Sequence, residues 1–136
     1  MAYDSLNVFQ ASVTKAANFN STALDFGTIV HNAAPRTMYA VVHVPTVTGG
    51  SGASNTFKFT LEGSDDNATF AVIAGAEALE DLFTVAAGVT ELGKLINIPF
   101  TSVFRYVRLV LTVSGSGTTP SITYLSYLSD TKRLSA

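Results

Sequence analysis

The chain has 136 residues, the size of one domain, with a formal net charge of −2, no Cys, and charge on only 13% of its residues. These figures exclude a disulfide framework and thiolate chemistry. The eight Lys and Arg form no basic run, which argues against sequence-independent nucleic-acid binding. With 47% apolar residues, the surface must be built largely from Ser, Thr, Asn, Gly and Ala. Such a surface suits a chain that is covered by a partner, because interface cores are depleted in charge.

Met1 to Ser5 has neither a positive n-region nor an apolar h-region, so it does not read as a signal peptide. No apolar run approaches the ~20 residues a membrane helix requires, so no membrane partner is expected. Residues 1–22 show broken patterning, with Leu6, Val8 and Phe9 as apolar points. Two readings stay open there: an extended N-terminal arm that orders on a neighbour, or a first strand with a loose terminus. Ala11 to Lys15 and Ala23 to Phe26 are short strand candidates.

Met38 to Val47 is a continuous apolar strand, and Pro45 marks its end or places it at a sheet edge, since Pro cannot donate to the ladder. Thr48 to Asn55 is rich in Gly and Ser and reads as an exposed, mobile loop. Phe57 to Glu62 alternates cleanly, with Phe57, Phe59 and Leu61 on one face and Lys58, Thr60 and Glu62 on the other. Gly63 to Asn67 supplies turn chemistry, and Thr69 to Ile73 returns, so residues 57–73 read as a hairpin.

Ala74 to Asp81 has the composition of one helical turn, weakened by Gly75. Leu82 to Val85 and Leu95 to Ile98 are further short strands. Arg105 to Val113 sets Val107, Leu109, Leu111 and Val113 against Tyr106, Arg108, Val110 and Thr112. Two readings stay open for its arginines: one buried against a carboxylate such as Asp25 in a bidentate pair that locks two strands, with Arg108 exposed for a partner, or both solvated on an outer face. Ser114 to Thr119 is a second exposed Gly/Ser loop. A last strand, Ile122 to Leu128, is apolar on both faces, as expected where a strand packs on a core and also touches something else.

About eight short strands without a convincing helix predict an all-β fold, an antiparallel two-sheet jelly-roll sandwich forming a single domain over residues 1–136. No catalytic constellation is legible: no Gly-x-Ser-x-Gly elbow, no phosphate loop, no His-Glu-x-x-His. His31 and His43 lack ligand-spaced neighbours. Glu62, Asp65 and Asp66 crowd one turn but fall short of the six to eight oxygens calcium takes. The chain is therefore read as a non-enzyme without cofactor or metal.

Several segments together resemble a known family. They are Ala23-Leu24-Asp25-Phe26-Gly27, Met38 to Val44, Phe59 to Asp66 with Thr69-Phe70, and Arg105-Tyr106-Val107-Arg108-Leu109 before a Gly/Ser loop and a final strand. Over roughly residues 20–128 their order resembles the jelly-roll capsid decoration, or cement, proteins of tailed bacteriophages. That resemblance implies a structural virion protein made in the host cytoplasm. It would sit on the outer capsid surface as a homotrimer and bridge neighbouring copies of the major capsid protein. The residues expected to carry such contacts are Leu6, Phe9, His43, Tyr106, Arg108, Tyr124 and Tyr127. The same Gly-Ser-Asp-Asp turn and Arg-Tyr-Val-Arg-Leu strand also resemble discoidin-like, galactose-binding jelly rolls. The alternative expectation is thus a carbohydrate-binding module of a phage tail or adsorption structure.

Overall fold

Period-two alternation sends one parity of each strand inward, and two sheets close on the residues so buried. The computed structural model describes residues 8–25, 38–75, 82–101 and 104–129. In chain order the strands are β1 (Val8–Lys15), β2 (Phe19–Asn20), β3 (Leu24–Asp25), β4 (Met38–Thr48) and β5 (Asn55–Ser64). They continue as β6 (Ala71–Gly75), β7 (Leu82–Val85), β8 (Thr90–Phe100), β9 (Tyr106–Gly115) and β10 (Ser121–Ser129). Sheet A has four strands in the order β1-β10-β4-β8. Sheet B has six: β9 and β5 form its centre, β2 and β3 pair with β9, and β6 and β7 pair with β5. Every pairing is antiparallel.

The core is the meeting of the two inner faces. Phe57, Phe59 and Leu61 of β5 and Val107, Leu109 and Leu111 of β9 face Ala40, Val42 and Val44 of β4 and Ile122 and Tyr124 of β10. Each large side chain removed from water here contributes roughly 1.5–3 kcal/mol. The Phe59 and Tyr124 rings meet edge to face, with centroids 5.2 Å apart across the sandwich. Phe57 stacks on Phe83 at 5.6 Å.

Burial pushes the Tyr124 hydroxyl up to about 12 from its ordinary value of 10. The unfolded chain therefore gives up this proton at lower pH than the folded chain does. Stability falls as pH rises above 10 and keeps falling until the folded hydroxyl ionises near 12. In an alkaline titration followed by circular dichroism, loss of structure should set in above pH 10, and Tyr124→Phe should shift the onset upward. An unchanged onset in that variant would show that Tyr124 contributes nothing to alkaline unfolding.

Several expectations need correction. Among the described residues the strands number ten rather than about eight: two-residue β2 escapes any pattern, β3 falls within the Ala23 to Phe26 candidate, and Leu95 to Ile98 is part of the longer β8. Pro45 neither ends its strand nor lies at an edge: β4 runs to Thr48 between β10 and β8. The reason is a bulge. Thr46 pairs with Thr123 and His43 with Leu125, so Val44 and Pro45 together oppose Tyr124 alone. On the other side, the ladder to β8 pairs Val44 with Lys94 and Thr46 with Leu92, skipping Pro45 opposite Gly93. A residue without an N–H is tolerated where the ladder is already interrupted. From Val8 onward the N-terminal stretch is a strand of sheet A paired with β10, not an arm, while residues 1–7 lie outside the described residues. Most of the helical turn expected over Ala74 to Asp81 also lies outside them, and Ala74 and Gly75 end β6.

The two Gly/Ser segments are largely exposed, as expected, at Ser51, Gly52 and Ser54 and at Ser114 to Ser116, Thr118 and Thr119, but their bases are tied together. Gly49, Gly50 and Asn55 are buried. Ser51 and Thr118 exchange backbone hydrogen bonds of 2.9 and 2.8 Å, and Gly88 N donates to Gly50 O at 2.7 Å. The close approach requires glycine: at Gly50, which has φ +87°, a Cβ would stand 2.4 Å from Thr118 O. Composition alone suggests solvent here, but backbone groups of three loops satisfy one another instead.

Candidate functional site: two unlike outer faces

Residues of opposite parity to the core form the two outer faces of the sandwich. Their chemistry differs. On sheet A, strand register lines up Leu125, His43 and Leu95 in one row. Tyr127, Val41 and Asn97 form a second row and Ser129, Tyr39 and Pro99 a third. Beyond the bulge come Thr14, Thr123, Thr46 and Leu92. Hydroxyls join across strands there, Thr14 to Thr123 at 2.8 Å and Thr48 to Thr90 at 3.1 Å. Leu92 stands 75% exposed, more than any other large apolar residue described.

The four strands of sheet A carry three charged residues, Lys15, Glu91 and Lys94. None joins this face. Lys15 Nζ lies 3.9 Å from the ring centroid of Phe19 in sheet B, and Lys94 Nζ lies 4.8 Å from that of Phe83. Glu91 pairs with Lys94 at 3.1 Å. Strand register sets all three opposite core residues (Lys15 to Ile122, Glu91 to Val47, Lys94 to Val44), so they take the inner parity and end at the seams between sheets, where ammonium groups gain from a ring face. Among the described residues the outer face of sheet A keeps only apolar side chains, hydroxyls, amides and one imidazole, that of His43.

The outer face of sheet B is charged, and its two arginines are paired. Arg108 Nε and Nη2 both donate to Glu62 Oε1, at 2.9 and 2.7 Å, directly across the β5–β9 ladder. The guanidinium lies 3.8 Å from the Phe70 ring centroid. Arg105 pairs with Asp25 through two parallel bonds, Nε to Oδ1 at 2.8 Å and Nη2 to Oδ2 at 3.0 Å, tying β3 to the start of β9. This is the bidentate geometry expected of Asp25, but both side chains stay more than 40% exposed, so the pair is a surface clasp and not a buried lock.

The residues expected to form contacts scatter across the fold. His43 sits on the outer face of sheet A, half-buried. Tyr106 and Arg108 sit on the outer face of sheet B, and Arg108 is engaged with Glu62 rather than free. Phe9 and Tyr124 belong to the core, 2% and 1% exposed, which removes them from any surface. Their parity, read without strand pairing, looks the same as that of an outward residue. Tyr127 takes an outward position but is only 3% exposed. Leu6 and His31 lie outside the described residues. Tyr39, Leu92, Leu95 and Leu125 complete the face around His43 and were not singled out from sequence. The opposite parity of the Met38 to Val47 run is the only signal that pointed to one of them.

The acidic turn is structural. Asp66 Oδ1 accepts from Thr69 N, Ser64 Oγ and Ala68 N within 2.8–2.9 Å, and these bonds hold its carboxyl down to about 2. Among the described residues no group of three or more His, Asp or Glu is placed to hold a metal ion. An open pocket of about 500 Å³ lies at one end of the sandwich, lined by small and amide side chains including Ala16, Ala17, Asn18 and Asn55. Among the described residues no aromatic ring lines it. Among the described residues no helix is long and apolar enough to cross a membrane.

Fold and faces together define an antiparallel two-sheet β-sandwich with one outer face that carries no charge among the described residues. The chain belongs to the Bbp16 family, a Bordetella phage protein family, whose model matches residues 8–124. No curated protein matches it in sequence. Among solved structures, it is similar to the CBM22-1–GH10 modules of xylanase 10B from Clostridium thermocellum, a structure complexed with xylohexaose. Identity is 11% and the TM-score 0.42, and the match covers 97% of this chain but 28% of that one.

Proposed function

We propose that this phage protein is a structural component of the virion that binds the outside of the assembled capsid as a homo-oligomer and cements neighbouring major capsid subunits. The supporting observation is the outer face of sheet A, four strands wide, from which every charged side chain of those strands is turned away. Interface cores are depleted in charge in this way, whereas a solvent-facing sheet ordinarily carries it. A protein that binds the assembled shell but not its separate subunits stabilises the shell by mass action. An oligomer engaging several subunits at once turns modest contacts into avidity. The reading needs no catalytic step, cofactor or nucleic acid.

The test is co-sedimentation with expanded heads that lack the protein. Heads are expected to retain it and to survive heating longer than bare heads. Because the contact is uncharged, retention should change little between low and molar salt, where the Debye length shrinks from about 10 to about 3 Å. Protein left in the supernatant over intact heads would overturn the proposal. Retention on a glycan array in that case would favour the carbohydrate-binding alternative.

A further inference from the structure

We infer that the loop end of the sandwich, where four uncharged connections meet, is the surface that docks on the major capsid protein, against an uncharged and apolar patch of the shell. The inference rests on the cementing reading above and names the surface that makes the shell contact.

The first argument is charge. The links β1–β2 (residues 16–18), β4–β5 (49–54), β7–β8 (86–89) and β9–β10 (116–120) lie at one end of the fold. Register puts them there: Lys15 pairs with Ile122, Thr48 with Ser121 and Thr90, and Asn55 with Val85 and Gly115. None of the residues in these links is Asp, Glu, Lys, Arg, His or an aromatic. The opposite end carries Asp25, Asp65, Asp66 and Arg105. Solvated loops ordinarily carry charge, whereas the core of an interface is depleted in it. Apolar side chains stand in its place. Of the three exposed large apolar residues described, Val89 and Leu92 are at this end, 42% and 75% exposed, beside exposed Ala86 and Ala87. The lack of any ring in these loops disfavours a sugar as the occupant.

The second argument is preorganisation. Ser51 and Thr118 exchange backbone hydrogen bonds, Gly88 N donates to Gly50 O, and Gly49 N donates to Val89 O at 3.2 Å. Three of the loops are thereby one body. The fourth is tied in through Asn18, whose Oδ1 accepts from Val113 N at 2.7 Å. A surface already fixed loses little entropy when a partner orders it further. The open pocket of about 500 Å³ lies on this end, between Ala16, Ala17 and Asn18 on one side and Gly117 and Pro120 on the other. It suits neutral side chains of the shell, because a charge entering it would meet no counter-charge.

The third argument is area, which decides between the shell and a second copy. Four strands about 4.8 Å apart and two sheets about 10 Å apart give the end roughly 20 by 20 Å, or about 400 Å². Two copies joined end to end would bury about 800 Å² in total, below the roughly 1,200 Å² that specific, stable pairs use. Against the shell, each copy of a homo-oligomer repeats the contact, and small contacts sum into avidity.

Co-sedimentation of variants with expanded heads that lack the protein tests this. Ala17→Glu and Ala87→Glu place a carboxylate on two different loops of the end, and each should lower affinity for heads at least about tenfold. Both positions are exposed, so melting temperatures should match that of the unmodified chain. Ala87→Ser, which adds no charge, should bind normally. Ala68→Glu at the opposite end and Lys58→Glu on sheet B should also bind normally. Normal binding by both loop-end glutamate variants, or an equal loss in Ala68→Glu, would overturn the inference and leave the cementing proposal standing. Heads that retain neither the unmodified chain nor any variant would sink the cementing proposal and this inference with it.

Discussion

Phe59→Ala is expected to destabilise the fold by about 3–5 kcal/mol, the range found when a buried aromatic side chain is truncated in a core that only partly collapses. Phe59 is fully buried at the centre of β5, and its ring meets the edge of Tyr124 from the opposite sheet. The substitution therefore opens a void between the two sheets and also removes an aromatic pair worth about 0.5–1.5 kcal/mol beyond its area. Neighbours cannot close in readily, because Leu61 and Phe57 lie on the same strand and Leu111 is held opposite by the β5–β9 ladder. Against a typical stability of about 5–15 kcal/mol, this change alone threatens folding at 37 °C. Urea denaturation followed by tyrosine fluorescence measures it. A loss below about 1 kcal/mol would mean that the two sheets are not packed through this residue.

Asn55→Ala is expected to cost about 1–3 kcal/mol, more than its single side-chain bond suggests. Asn55 is 2% exposed, and its Nδ2 donates to Gly49 O at 2.5 Å. Removing the amide leaves that carbonyl buried without its partner, which is the expensive case. The amide also fills the junction of three loops: a Cβ placed on Gly117 would stand 2.1 Å from Nδ2. Its loss should loosen the Ser51–Thr118 bridge as well as the Gly49 contact. Hydrogen exchange of the Ser51 and Thr118 amides, measured beside the melting temperature, reports both effects. Asn55→Asp, which keeps the shape but cannot donate, should fail like the alanine variant. Wild-type exchange in both variants would show that the loops are held by their backbone bonds alone.

Much of the inner face was legible from alternation. Phe57, Phe59 and Leu61 and then Val107, Leu109 and Leu111 are inward as their parity predicts, because a half-buried strand leaves only one face for apolar side chains. The hairpin over residues 57–73 and the strand at Leu82–Val85 were legible for the same reason. Phe9 and Tyr124 show the limit. Aromatic residues at alternating positions can face a core or a partner, and only the pairing of β1, β10 and β4 decides which.

The bases of the loops show a different limit. Thr48 to Asn55 looked solvent-bound because Gly and Ser bury little apolar area. Yet glycine is what lets one backbone come within hydrogen-bonding distance of another, and that closeness appears only when Gly49, Gly88 and Thr118 are brought together from distant parts of the chain.

The sequence by itself determined the class of fold, an all-β sandwich without thiol chemistry, and the scarcity of charge, since period and composition are local properties. Tertiary structure decided where the few charges go. Lys15, Glu91 and Lys94 belong to the strands of sheet A, and strand register sets them opposite the core residues Ile122, Val47 and Val44, on the inner parity. At the seams Lys15 and Lys94 then meet the ring faces of Phe19 and Phe83 of the other sheet, and Glu91 pairs with Lys94. The side of the sheet these charges take is thus set by how the strands pair, which no single strand reveals by itself.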